Sequence, residues 1–246
     1  MKPETIEAVL GQLDAVRAIL AAELAAVAKA DAALELPEAA RFFDHVRGRL
    51  WPRLLKHQVT GCERLIAACG RGGLGVAKAA YVLATAYHET AYAMQPVKEK
   101  GGHAYLDKYD TGRLAAILGN TPEDDDDGQR YAGRGDVQLT GARNYARATE
   151  KLRDMGLIGA HESLITTPDL ALRPDLSAAI IVAGMAEGWF TGKTLGDYLP
   201  FAKPATKTQF VSARRIVNGT DKAGEIAGYA MTFQDALTAG GWGRWA

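Results

Sequence analysis

The chain has 246 residues, with 29 Lys+Arg against 29 Asp+Glu, 48% hydrophobic and 24% charged residues. That is long enough to bury one sizeable core, too apolar for global disorder, and free of the clustered basic excess of a dedicated nucleic-acid binder. No stretch approaches the roughly 18 consecutive apolar residues of a membrane span, and Met1-Lys2-Pro3-Glu4, followed by Asp14, Arg17 and Glu23, leaves no secretory apolar region.

Helical periodicity dominates the first third. Ile6, Val9, Leu10, Leu13, Val16, Leu20, Leu24 and Val27 recur at three- and four-residue steps and predict a helix over 5–29. Pro37 punctuates the chain, and a second helix carries Phe42, Phe43, Val46 and Leu50 up to Pro52. Val59, Cys62, Leu65, Ile66 and Cys69 form a third stripe, closed by Gly70-Arg71-Gly72-Gly73. Seven residues on one helix separate the two cysteines by roughly 10 Å at 1.5 Å rise per residue, too far for a disulfide. They are expected as free core thiols in a protein made in a reducing cytoplasm. A fourth helix runs from about Ala77 through Tyr81, Val82 and Leu83 towards His88-Glu89.

From Tyr92 to Gln138 the pattern turns irregular, with Gly101-Gly102, Gly112, Gly119-Asn120, Pro122 and an acidic run at 124–127. A loop region of this length inside a domain is commonly functional. Helices resume around Tyr145–Met155, Leu176–Met185 and Phe210–Val217, and a last one, with Asp221 as the expected cap, carries Ile226, Tyr229, Phe233 and Leu237. The expectation is a mainly α-helical domain over 38–246 with a separate helical extension over 1–37.

Several motifs fail in context. Gly70–Gly75 spells a dinucleotide fingerprint, but a helix precedes it rather than a strand. His88-Glu89-Thr90-Ala91-Tyr92 lacks the second histidine of a zinc helix. Glu123, Asp125, Asp127 and Gly128 begin like a calcium loop, but Arg134 stands where a bidentate Glu is needed. What survives is acid chemistry. Glu89 ends an apolar helix, where partial desolvation suits a general acid. Glu99, in a polar loop, suits a base that activates water. Two carboxylates in unlike settings are the minimum for glycoside hydrolysis, and a separation of about 6.5–9.5 Å implies inversion. On composition alone, a salt bridge of Glu99 with Lys98 or Lys100 is the simpler reading.

Read in order, His88-Glu89-Thr90, Met94-Gln95-Pro96-Val97, Glu99, Tyr131-Ala132-Gly133-Arg134-Gly135, Val137-Gln138-Leu139-Thr140, Asn144-Tyr145 and Arg214–Gly219 resemble the signature of the family 19 glycoside hydrolases. This is the chitinase-like branch of the lysozyme superfamily, and the wording of these segments is similar to its phage and prophage endolysins. The resemblance covers about 39–238. It implies a bilobed α-helical domain with a substrate cleft, Glu89 as general acid, Glu99 as base, and Thr140 orienting the nucleophilic water through its hydroxyl. It further implies that His88, Tyr131, Gln138, Asn144 and Tyr145 line the sugar cleft, and that Arg134, Arg215 and Asn218 shape it or bond near the acids. For Arg134 an ion pair fixing the loop is an equal alternative, and for Tyr131 and Trp189 core packing is as good a reading as sugar stacking.

No metal or organic cofactor is implied. The cysteine-bearing insertions of plant-type members are missing, which favours peptidoglycan glycan strands over chitin; a chitinase and a non-catalytic glycan-binding protein are the alternatives, with an amidase or peptidase acting on the stem peptide further behind. The expected protein is a monomer that accumulates in the cytoplasm and acts on the wall after membrane permeabilisation. The N-terminal extension is expected to cap the domain first of all, with dimerisation or occlusion of the cleft as the alternatives. Charge is uneven beneath the neutral total, −4 over 1–40, +6 over 41–80 and −4 over 81–140, so a basic flank at Arg41, Arg47, Arg49, Arg53 and Lys56 is available for an anionic polymer.

Overall fold

The computed structural model describes residues 12–13, 15–20, 36–121, 123 and 125–243, and the architecture is mainly α-helical. Residues 12–13 and 15–20 are helical, as the stripe predicts, but Leu13, Val16 and Leu20 are 50%, 52% and 56% exposed. Their apolar face is therefore not packed against the body as a cap would be. The rest of the stripe (Ile6, Val9, Leu10, Leu24 and Val27) lies outside the described residues.

Three helices open the body: α1 (Ala39–Val46), α2 (Lys56–Arg71) and α3 (Val76–Glu89). Helix α3 is buried at every position from Ala79 to Tyr87. A helix apolar all round belongs in the centre of a domain, and its alanines let neighbours approach closely. A tight irregular segment follows, with strand β1 (Val97–Lys98), short helices α4 (His103–Leu106), α5 (Gly112–Leu118) and α6 (Asp127–Arg130), and strand β2 (Arg134–Gly135). The strands pair antiparallel, Val97 opposite Gly135 and Lys98 opposite Arg134. The segment expected as irregular loop thus contains short ordered elements, too brief for periodicity to reveal.

The chain closes with α7 (Ala142–Asp154), α8 (Pro174–Glu187), α9 (Leu195–Tyr198), α10 (Lys207–Ala213) and α11 (Ala223–Ala239). Helix α8 is buried from Leu176 to Met185, and α11 packs across α3. An aromatic cluster joins α1, α3 and α11: Trp51 meets Tyr87 edge-on at 4.9 Å, Tyr87 meets Tyr229 at 4.7 Å, and Phe42 stacks on Phe233 at 6.3 Å. Cys62 and Cys69 are free and buried, and burial pushes both thiols far above the usual range. The expected Asp221 cap is replaced by Lys222, whose φ of 58° reverses the chain into α11, while the Asp221 carbonyl accepts from Arg214 Nε at 3.0 Å. Among the described residues no helix is long and apolar enough to cross a membrane.

Candidate active site

Glu89 is the last residue of α3, and its side chain is 18% exposed. The apolar helix before it sets it at the edge of the core, as the sequence predicts. Its partner was not foreseen: the Arg214 guanidinium, only 4% exposed, lies 2.9 Å from Glu89 Oε1. The resemblance pointed to Arg215 instead. That side chain is exposed and makes only a 3.5 Å contact with its own turn, at the Ser212 carbonyl. A sequence signal for Arg214 existed, because it falls between Phe210 and Val217 on the apolar stripe, and a charge on such a face must be paired.

The turn after Glu89 is strained. Among the described residues six non-glycine residues have positive φ, and Ala91, Tyr92 and Met94 are three of them. Such conformations cost about 1–3 kcal/mol each and persist only when neighbours over-determine them. Here they do. Thr90 Oγ1 donates to the Ala86 carbonyl at 2.7 Å and accepts from Met94 N at 2.9 Å. Trp51 Nε1 and Gln58 Nε2 both donate to the Tyr92 carbonyl, at 2.9 and 3.2 Å. Gly61 of α2 has the Met94 carbonyl oxygen 2.0 Å from where a Cβ would stand, so only glycine admits the turn.

Glu99 is placed by the β1–β2 pair. Its backbone N–H donates to the Gly133 carbonyl at 2.7 Å, and Gly133 N–H returns a bond to Glu99 Oε2 at 3.0 Å. The Tyr109 hydroxyl donates to Oε1 at 3.2 Å, with Lys108 Nζ 4.0 Å away. Lys98 turns away to Asp169, so the salt bridge that composition favoured is made by a different lysine. Glu99 is 17% exposed. A Cβ on Gly133 would stand 3.0 Å from Glu99 Oε2 and 2.7 Å from Gln138 Oε1, so both side chains crowd the same glycine.

Gln138 brings the segment 134–145 up to Glu99. Gln138, another non-glycine residue at positive φ (56°), donates to the Val97 and Gly135 carbonyls at 3.1 and 3.3 Å. Thr140 Oγ1 donates to the Gln138 carbonyl at 2.8 Å, leaving its oxygen as an acceptor, and Asn144 Nδ2 donates to the Thr140 carbonyl at 3.0 Å. Both stay half-buried. Arg134 is 4% exposed, bonded to Asp169, to the Arg130 and Ala132 carbonyls and to the Tyr145 hydroxyl. Of its two readings, the structure gives the ion pair that fixes the loop; the Arg134 hydrogen bond, foremost, holds the Asp169 carboxyl below its ordinary value.

The aromatic assignments change. Tyr145 is fully buried and Tyr131 packs on it at 5.4 Å, so both rings support the segment from beneath rather than offering faces to a sugar. Trp189 is buried too, its Nε1 donating to Glu187. Asn218 is exposed and accepts from Gly219 N–H. His88 is half-buried, and its Nδ1 is enclosed without a partner.

A support that the sequence did not announce holds this segment to the body. Arg64 of α2 grips Asp136 with two bonds, at 2.7 and 2.8 Å, and donates also to the Met94 and Pro174 carbonyls. Ser177 of α8 donates to Asp136 Oδ2 at 2.5 Å. Asp136 is wholly buried, and one arginine therefore ties the turn after Glu89 to the segment beside Glu99.

The acidic turn folds around buried Asp110, which accepts from Gly128 N–H at 2.8 Å and Asp126 N–H at 3.3 Å. Among the described residues no group of three or more His, Cys, Asp or Glu is arranged to hold a metal ion. Surface concavities of about 450, 630 and 470 Å³ lie on other faces, and neither Glu89 nor Glu99 lines them. No protein-family model matches the chain, and no solved structure matches it.

Proposed function

We propose that the protein is an endolysin-like glycoside hydrolase that cuts β-1,4 bonds of bacterial peptidoglycan by single displacement. The observation that carries the reading is a pair of partly exposed carboxylates in unlike settings, Glu89 against a buried guanidinium and Glu99 among a backbone N–H, a phenol and an ammonium. Strain collects beside both of them, at 91–94 and at Gln138, and stored backbone strain is a recurrent mark of functional segments. The motif order resembling family 19 supplies the reaction class.

In this mechanism the glycan lies in a groove between two lobes. Glu89 protonates the leaving glycosidic oxygen. Glu99 takes a proton from a water that donates its other hydrogen to Thr140 Oγ1, and that water attacks the anomeric carbon through an oxocarbenium-like transition state. Gln138 and Asn144 contact the sugar at the groove floor. The protein is made in the cytoplasm and reaches the wall once the membrane is breached.

Glu89→Gln is expected to remove nearly all lysis of outer-membrane-stripped bacteria; it also leaves Arg214 without its carboxylate, at a cost of about 1–3 kcal/mol, with unfolding still a single cooperative transition. Undiminished lysis would overturn the mechanism. Product analysis on chitin oligomers beside purified peptidoglycan separates the substrates: soluble chito-oligosaccharides as the only products would make the protein a chitinase, and binding without new reducing ends would make it a glycan-binding protein.

A further inference from the structure

Helix α3 carries a row of polar side chains that lead from the core to Glu89. Tyr81, Thr85 and Glu89 stand four residues apart, on one side of the helix and about 6 Å from one to the next. Tyr81 and Thr85 are wholly buried, and Tyr81 Oη and Thr85 Oγ1 have no hydrogen-bond partner in the protein. Both are exceptions here. Thr90, Thr149, Thr232 and Thr238 each donate to the carbonyl four residues back, the usual resting place of a helical threonine hydroxyl. The buried hydroxyls of Tyr87, Tyr131 and Tyr145 likewise each reach a carbonyl.

Tyr81 packs against the element that carries Arg214. The Tyr81 ring stacks on Phe210 of α10 at 6.0 Å, one helical turn before Arg214. Burial raises the Tyr81 hydroxyl far above its ordinary value; Arg214 opposes that shift and Glu89 adds to it, so the phenol senses both charges of the pair. A buried hydroxyl left unmatched costs about 1–3 kcal/mol, and two on one row are a strong demand for a partner. An enclosed water satisfies about three such groups.

We propose that Tyr81 and Thr85 hold an ordered water behind Glu89, and that this water links their hydroxyls to the Glu89–Arg214 pair and fixes the carboxyl's orientation. Tyr81 and Thr85 are thus positioning residues that act through Glu89. The role in turnover rests on the glycosidase reading; the water site does not.

The experiment compares the full chain with Tyr81→Phe, Thr85→Val and the double variant, each change deleting a hydroxyl with little change of shape. Each single variant is expected to lower Tm by about 2–4 °C. The double variant is expected to fall by less than their sum, because the first deletion already releases the shared water. A crystal structure of the parent should show a water within hydrogen-bond distance of both hydroxyls. A single variant that melts at or above the parent, fully additive losses, or a site without water density each overturn the proposal. On peptidoglycan, Thr85→Val should lower kcat on the order of tenfold at unchanged KM, with kcat restored in Thr85→Ser; an unchanged kcat removes the positioning role. A parent that opens no glycosidic bond defeats the glycosidase reading, while the melting and crystallographic results still decide the water site.

Discussion

The helices α3, α8 and α11 and the segment 90–141 bury backbone by opposite means. In the helices the interior N–H and C=O groups bond within the element, and apolar side chains do most of the packing: α8 is buried over ten successive residues, with Ser177 the one polar side chain among them. In the segment, side chains do that work, as Trp51 and Gln58 donate to the Tyr92 carbonyl and Arg64 to the Met94 carbonyl, both in a turn outside any helix or strand. The first design tolerates substitution of similar volume. The second depends on single polar groups, and it is the one that carries Glu99, Gln138 and Thr140.

The largest test of that contrast is the tie between the two regions. Asp136→Ala leaves the Arg64 guanidinium without its carboxylate in a mostly buried place, and unfolding in urea should show a loss of about 3–5 kcal/mol. A loss under 1 kcal/mol would mean the segment holds itself. Next comes the pair at Glu89. Arg214→Met should cost about 1–3 kcal/mol, below the full value for a buried pair because Glu89 is partly exposed, and should depress lysis strongly. Arg215→Met should stay within about 0.5 kcal/mol of the parent in the same melts; equal effects of the two would remove Arg214 from the site.

Gly61→Ala probes the contact from the helical side. Its Cβ would meet the Met94 carbonyl at 2.0 Å, so a loss of about 1–3 kcal/mol is expected, together with shifted backbone resonances at 90–94. Helical burial has its own sign: Cys62 and Cys69, raised by desolvation, should resist a thiol reagent in the native protein and react at once in denaturant.

The smallest effect belongs to the acidic turn. The Asp126 hydrogen bond, first, and then Asp107 raise the His103 pKa above its ordinary 6.5. Whatever stability it adds is present below pH 6.5 and is lost as pH rises through the higher folded value. Because the ring is exposed, the effect is read by titrating its NMR signal, with a midpoint above 6.5 that moves down in Asp126→Asn. A midpoint at or below 6.5 in the parent would break the pairing.

Legibility in the sequence follows the same division. The stripe Val59–Cys69 announced its helix because burial of a one-sided helix repeats every three or four residues. Thr90, Asp136 and Arg64 could not be read that way: their partners lie 30 to 110 positions away, or in a turn whose shape the letters do not encode. Tyr131 and Tyr145 show a related limit, since aromatic residues beside acids suit a sugar face and a core equally until burial is known. Arg214 was accessible in principle from its place on an apolar stripe, and the adjacent Arg215 hid it.

The central claim is that Glu89 and Glu99 open a glycosidic bond by inversion. Its most direct test digests purified peptidoglycan with the parent and with Glu89→Gln, and follows the reducing ends by mass spectrometry and their anomeric configuration by NMR from the first minutes. The account predicts new reducing ends in the inverted configuration from the parent and almost none from Glu89→Gln. Release of stem peptides without new reducing ends, or products of retained configuration, would contradict it.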